Sequence, residues 1–220
     1  MSIRVHLWLS SEWARFDRRF AIGALLLLLT SCTSKETKAL LEPSQALGTV
    51  LAEEAARAAG HRKQVIVILP QWGGMCTVGE SLKSALSKQG LSALLTLTAD
   101  VGDPMRGALG LKREDFSKAL EQAAGDGIVV SLAGAPLLTP EEAARLSPQH
   151  PPVLVVATAS LGNVIGVTGD RTRLAGLLEA RAVQLAIVDG ASEPAAPPAA
   201  RTDSAHQLFS QHYRILRRSD

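Results

Sequence analysis

Two glycines beside a tryptophan and a cysteine make the segment Pro70-Gln71-Trp72-Gly73-Gly74-Met75-Cys76 the first place to look for chemistry. Gly73 and Gly74 let the backbone approach a bound molecule closely. Trp72 offers a flat face on which a sugar ring can stack, and Gln71 supplies both a donor and an acceptor. A helix predicted to open at Thr77 points unpaired N–H groups toward an anion. Asp100, Asp103, Thr158 and Ser160 bring carboxylates and hydroxyls in segments that follow other predicted strands, and Gly134-Ala135-Pro136 follows a third. Together these groups could orient a small polar ligand through hydrogen bonds. The same residue types also make ordinary turns, with Trp72 covering a sheet edge, and that reading stands beside the first.

Reactive chemistry finds less support. Trp72-x-x-x-Cys76 after a strand and before a helix is loosely similar to thioredoxin-like thiol sites, and a helix N-terminus favours a thiolate. The second cysteine of a Cys-x-x-Cys pair is missing, however, so a buried, inert thiol is the competing reading of Cys76. His61, His150, His206 and His212 fall in predicted loops or the tail, and none has a second ligand at metal spacing. No Gly-x-Ser-x-Gly elbow is present, since Ser131 is followed by Leu132-Ala133-Gly134. No dinucleotide or phosphate-loop pattern occurs either. No catalytic residue, metal ligand or cofactor is therefore assigned, and the chain is read as a non-enzyme.

The elements that must position these residues follow from hydrophobic periodicity. Val65–Leu69, Ala93–Leu97, Ile128–Leu132, Val153–Val156 and Val183–Val188 are short, apolar, mostly β-branched runs. Between them lie segments of helical period. Ser44 can cap a helix with Leu47, Val50, Leu51, Ala55 and Ala58 on one face, ending at Gly60. Thr77-Val78-Gly79-Glu80 has the form of a capping box, opening a helix that stops at Gly90. Phe116, Ala119, Leu120 and Ala123 mark another, closed by Gly125. Thr139-Pro140-Glu141-Glu142 is a second capping signature with proline at the first helical position. Asp170 can cap a helix with Leu174, Leu177 and Leu178 inward.

Apolar runs alternating with helices describe a parallel sheet buried on both faces. The expectation is an α/β fold: a single domain with a three-layer, doubly wound, five-stranded parallel sheet of order 2-1-3-4-5. In such sheets ligands sit beyond the carboxyl ends of the strands, where strand order reverses, which is where Gln71, Trp72, Asp100, Asp103, Thr158 and Ser160 would gather. The domain spans 44–190. A Pro/Ala linker at 191–203 precedes a helix or tail at 204–220, whose Leu208, Phe209, Tyr213, Ile215 and Leu216 suggest that it docks back; Phe209 and Tyr213 are also candidates for gripping a partner.

The first 31 residues have a different character. Arg4, Arg15, Arg18 and Arg19 outnumber Glu12 and Asp17, and Phe20–Leu29 is uninterrupted apolar sequence. Ten residues of helix span about 15 Å, roughly half of a bilayer core. A signal segment therefore fits better than a permanent span. Leu29-Thr30-Ser31-Cys32 resembles the lipobox of bacterial lipoproteins. The resemblance implies cleavage of 1–31, diacylation of Cys32 with palmitate-type chains, and a membrane anchor facing the periplasm. It also implies that Thr33, standing where an aspartate would retain the protein, directs it to the outer membrane of a two-membrane cell. Residues 32–43 would then be a polar tether.

The leader carries four basic and two acidic residues of the chain's 23 and 21, so the remainder is formally neutral. That balance excludes the clustered positive charge that nucleic-acid binding requires. With Cys32 acylated, Cys76 is the single remaining thiol, so no internal disulfide forms even in an oxidising compartment.

Val65-Ile66-Val67-Ile68-Leu69-Pro70, the helix through Ser81–Leu86, and Ala119-Leu120-Glu121-Gln122 before Asp126-Gly127-Ile128-Val129-Val130-Ser131 resemble one lobe of the type I periplasmic sugar-binding proteins. The resemblance covers about residues 64–190 and implies non-catalytic binding or sensing of a small polar ligand. Family members have two such lobes, whereas this chain has room for one. Two other roles are compatible with the pattern: a structural or assembly partner in the cell envelope, and a flavodoxin-like hydrolase or thiol enzyme.

Overall fold

The computed structural model describes residues 35–71, 77–91, 93–102, 109–158, 160–161, 164–165, 171–190 and 204–218. Residues 1–31, expected to be a signal segment, Cys32, Trp72, Cys76, Asp103, Asp170 and the stretch 191–203 lie outside them. The chain divides into a unit of Met1–Lys38 and a unit of Ala39–Asp220, and the second carries the whole sheet.

The elements in chain order are α1 (Lys35–Ala59), β1 (Gln64–Pro70), α2 (Thr77–Lys88), β2 (Ala93–Ala99), α3 (Arg113–Ala123), β3 (Gly127–Ser131), α4 (Pro140–Ala144) and β4 (Val153–Ala157). A two-stranded antiparallel hairpin follows, β5 (Ser160–Leu161) with β6 (Val164–Ile165). Then come α5 (Arg171–Glu179), β7 (Leu185–Asp189), α6 (Ser204–His212) and β8 (Tyr213–Arg217). The main sheet is six-stranded, in the order β2-β1-β3-β4-β7-β8. All neighbours are parallel except β7 and β8. Its first five positions reproduce the order 2-1-3-4-5 expected from the apolar runs.

The pleat divides the core in two, because successive side chains of a strand point to opposite faces. Val65, Val67, Ile128, Val130, Leu154, Val156, Leu185 and Ile187 face α1, α2 and α6, meeting Leu47, Leu51, Leu82 and Phe209. Ile66, Ile68, Val129, Val155, Ala186 and Val188 face α3, α4 and α5, meeting Phe116, Ala119, Ala143, Leu174 and Leu177. Burial on both sides explains why the strands read as continuous apolar runs instead of alternating ones. Gly90 and Gly125 close α2 and α3 with φ of 77° and 96°, a backbone region that glycine enters without steric cost.

Two elements differ in form from the expectation. Helix α1 begins at Lys35 and runs through Pro43 and Ser44, so Ser44 lies inside the helix instead of capping it. Lys35, Glu36, Lys38 and Leu40 are good helix formers, and the helix carries Pro43 in its interior. The tail after residue 203 docks back on the sheet, as its apolar residues suggest, but it forms α6 and then β8, a sixth strand antiparallel to β7 where five strands were expected. Phe209 and Tyr213 are buried, with ring centroids 5.5 Å apart, so they belong to the core and cannot grip a partner.

Candidate ligand-binding edge

Strand order reverses at β1. The chain leaves β1 through α2 on one face and leaves β2 through α3 on the other, so the topological switch point, where open α/β sheets place their ligands, lies beyond the carboxyl ends of β1 and β3. Gln71 follows β1, is exposed, and donates its backbone N–H to the Ala99 carbonyl at 2.8 Å. This extends the β1–β2 ladder by one step and sets Gln71 beside Asp100. Thr158 follows β4, two strands away across β3, and is fully buried. Ser160 opens the β5–β6 hairpin just beyond it. The structure therefore brings Gln71 and Asp100 together and holds Thr158 apart from them. Trp72 and Asp103 fall outside the described residues.

Asp100 has internal partners. Its Oδ1 accepts the Gly102 N–H at 3.0 Å, and its Oδ2 accepts a hydrogen bond from Lys112 Nζ at 2.5 Å. The Lys112 ammonium, then the Gly102 N–H, holds the Asp100 carboxyl below its ordinary pKa, and Asp100 in turn raises that of Lys112. This ion pair ties the two ends of the segment between β2 and α3. Within that segment Gly110 donates to Val101 O, Leu111 donates to Ala135 O at 3.0 Å, and Leu137 donates to Leu111 O at 2.8 Å. A Cβ on Gly110 would stand 2.7 Å from Ala135 O, so glycine is required for this approach.

Beyond β3 the backbone turns sharply inside the protein. Ser131 is fully buried and its Oγ donates to Gly134 O at 2.8 Å, where Gly134 takes a φ of 82°. Leu132 donates to Ile68 O at 2.8 Å. The Ser131 hydroxyl thus closes a turn that leads into α4.

Helix α4 opens with a full capping box. Thr139 Oγ1 accepts the Glu142 N–H at 3.2 Å, while Glu142 Oε2 accepts the Thr139 N–H at 2.9 Å, with Pro140 at the start. Glu142 also accepts a hydrogen bond from Arg113 Nη1 at 2.7 Å. The Thr139 N–H, then Arg113, lowers the Glu142 pKa. Between α4 and α5 lies a groove of about 340 Å³, lined by Leu138, Thr139, Pro140, Ala143, Arg173, Gly176 and their neighbours. Arg173 is half-buried and reaches across to the β2–α3 segment, where its Nη2 donates to Leu109 O at 3.4 Å. Its Nε is sealed from solvent and has no hydrogen-bond partner among the described residues.

Reasoning from sequence missed Arg173, Lys112 and the turn-closing role of Ser131. Arg173 precedes Leu174 in an amphipathic helix and reads as a surface position. Lys112 was legible only as a cation before an acidic helix start. Among the described residues, no group of three His, Cys, Asp or Glu side chains is placed to hold a metal ion. No described helix is long and apolar enough to cross a membrane.

Comparison of the chain with protein-family models, with curated proteins and with solved structures returns no match.

Proposed function

We propose that the protein is a lipid-anchored lipoprotein of the cell envelope that binds or senses a small polar ligand at the carboxyl edge of its sheet, without transforming it. The observation that carries this reading is the reversal of strand order at β1, which puts the switch point of the sheet beyond β1 and β3, next to Gln71. The address rests on the lipobox-like Leu29-Thr30-Ser31-Cys32 behind its basic and apolar leader. Trp72 would stack on the ligand. The Asp100–Lys112 pair would hold the rim in shape and would not itself contact the ligand.

Thermal unfolding of the full chain in mild detergent, against a panel of sugars and amino acids, tests the binding half. A ligand raises the midpoint by mass action. The shift is expected to vanish in Trp72→Ala and Gln71→Ala. An unchanged melting curve across the panel counts against binding at this edge.

A further inference from the structure

We infer that the α4–α5 groove selects a compact carboxylate with an apolar body, and that Arg173 is the residue that recognises it. This rests on the binding reading above and names the class of ligand. The groove has the volume of a small-molecule site and adjoins the carboxyl edge, since α4 and α5 both start there. Its walls are mainly hydrocarbon: Leu138, Pro140, Ala143 and Leu177. A sugar, polar over its whole surface, would leave hydroxyls unpaired against such walls.

The polar groups of the lining are already engaged, with one exception. The Thr139 hydroxyl oxygen accepts from the Glu142 N–H, and Thr172 also has a partner. Arg173 differs. A guanidinium carries five N–H donors, yet among the described residues this one makes a single long bond, to Leu109 O, and leaves Nε unpaired. A cation so poorly satisfied, beside an apolar cavity, is complementary to an anion. Arginine's planar fork matches the two oxygens of a carboxylate. Only one cationic side chain lines the groove among the described residues, which suits a monoanion better than a phosphate dianion. The ligand would lay its apolar body along Ala143 and Gly176, and the Arg173 side chain would turn toward it, giving its unpaired donors acceptors.

Gly176 provides a steric control. A Cβ built there meets no atom within 4 Å, so a side chain can start at this groove-lining position without a backbone clash, and Gly176→Leu, its fold checked by circular dichroism, extends that side chain by three carbons. The test is isothermal titration of the full chain in mild detergent with benzoate, 4-methylpentanoate, the neutral isostere benzamide, and glucose. Expected is binding of both carboxylates, at least a tenfold weaker affinity for benzamide, and loss of carboxylate binding in Arg173→Gln and Gly176→Leu. Arg173→Lys should keep part of the affinity, since it keeps the charge and loses the fork. Glucose binding that survives in Arg173→Gln and Gly176→Leu but fails in Trp72→Ala would overturn this inference and leave binding at the edge standing. Equal affinity for benzoate and benzamide would overturn it as well. Absence of binding by any of the four probes would overturn it too.

Discussion

Arg217 in the last strand places Nη2 2.7 Å from Glu54 Oε2 in the first helix, a contact spanning 163 positions of sequence. Glu54 is almost fully buried, and its second oxygen accepts a hydrogen bond from Arg57 Nη1 at 2.7 Å. One carboxylate thus joins α1 to β8, the two elements whose form departs most from expectation. Hydrogen bonds to charged groups contribute about 1.5–3 kcal/mol, and the half-exposed guanidiniums call for the lower part of that range. Glu54→Ala should cost about 2 kcal/mol in urea unfolding, and Arg217→Ala less than about 1 kcal/mol. Hydrogen exchange in β8 should rise in both. Unchanged stability in Glu54→Ala would show that the contact does not hold the tail.

Helices α1 and α2 touch through Gly48. A Cβ there would lie 2.5 Å from Ser81 Cβ and 2.8 Å from Val78 O. Alanine favours helix over glycine by up to about 1 kcal/mol, but overpacking costs about 1–3 kcal/mol. The clash includes backbone and cannot be relieved by a rotamer, so Gly48→Ala should destabilise. Ser81→Gly in the same chain should recover part of the loss, as a double-mutant cycle would show.

Gly176 is the opposite case. It lies within α5, and its missing side chain would meet nothing. Gly176→Ala should therefore stabilise by about 0.5–1 kcal/mol, read as an increase in urea midpoint at constant slope.

The Asp100–Lys112 clamp gives a pH dependence of known sign. Folding lowers the Asp100 pKa, so its contribution is present above the ordinary aspartate range and lost as pH falls through the lowered value. Folding raises the Lys112 pKa, so that contribution is complete below the ordinary lysine range and lost as pH rises through the raised value. The clamp is thus intact across neutral pH and opens at both extremes. In Lys112→Met the Asp100 carboxyl should titrate closer to its ordinary value, as carboxyl-carbon NMR would show. An unmoved titration curve would mean that the ion pair does not form in solution.

Central strands and their order were legible because burial on both faces removes polar alternation and leaves runs such as Val65–Leu69 unmistakable. The Thr139 capping box was equally plain, since its chemistry is local. Strand β8 was hidden for the opposite reason. Tyr213-Arg214-Ile215-Leu216-Arg217 lies at a sheet edge, mixes charge with apolar residues, and gains its partner only through the tertiary fold. The site divides in the same way. The positions of Gln71, Asp100 and Thr158 at strand ends were legible because each directly follows an apolar run. Arg173 was not, because its significance depends on the groove beside it and on Leu109, 64 positions earlier. The bond from Lys112 to Asp100 was not legible, since a lysine twelve residues on could not be paired with it from spacing alone.

The address of the protein decides which residues the working molecule keeps and which ligands can reach its edge, so intact-mass measurement of the chain extracted from cell membranes is the most direct test. The account predicts a polypeptide starting at Cys32 with a diacylglyceryl adduct and an amide-linked or free N-terminus. In Cys32→Ala that species should disappear. A full-length, unmodified chain starting at Met1 and recovered from the soluble fraction would contradict it.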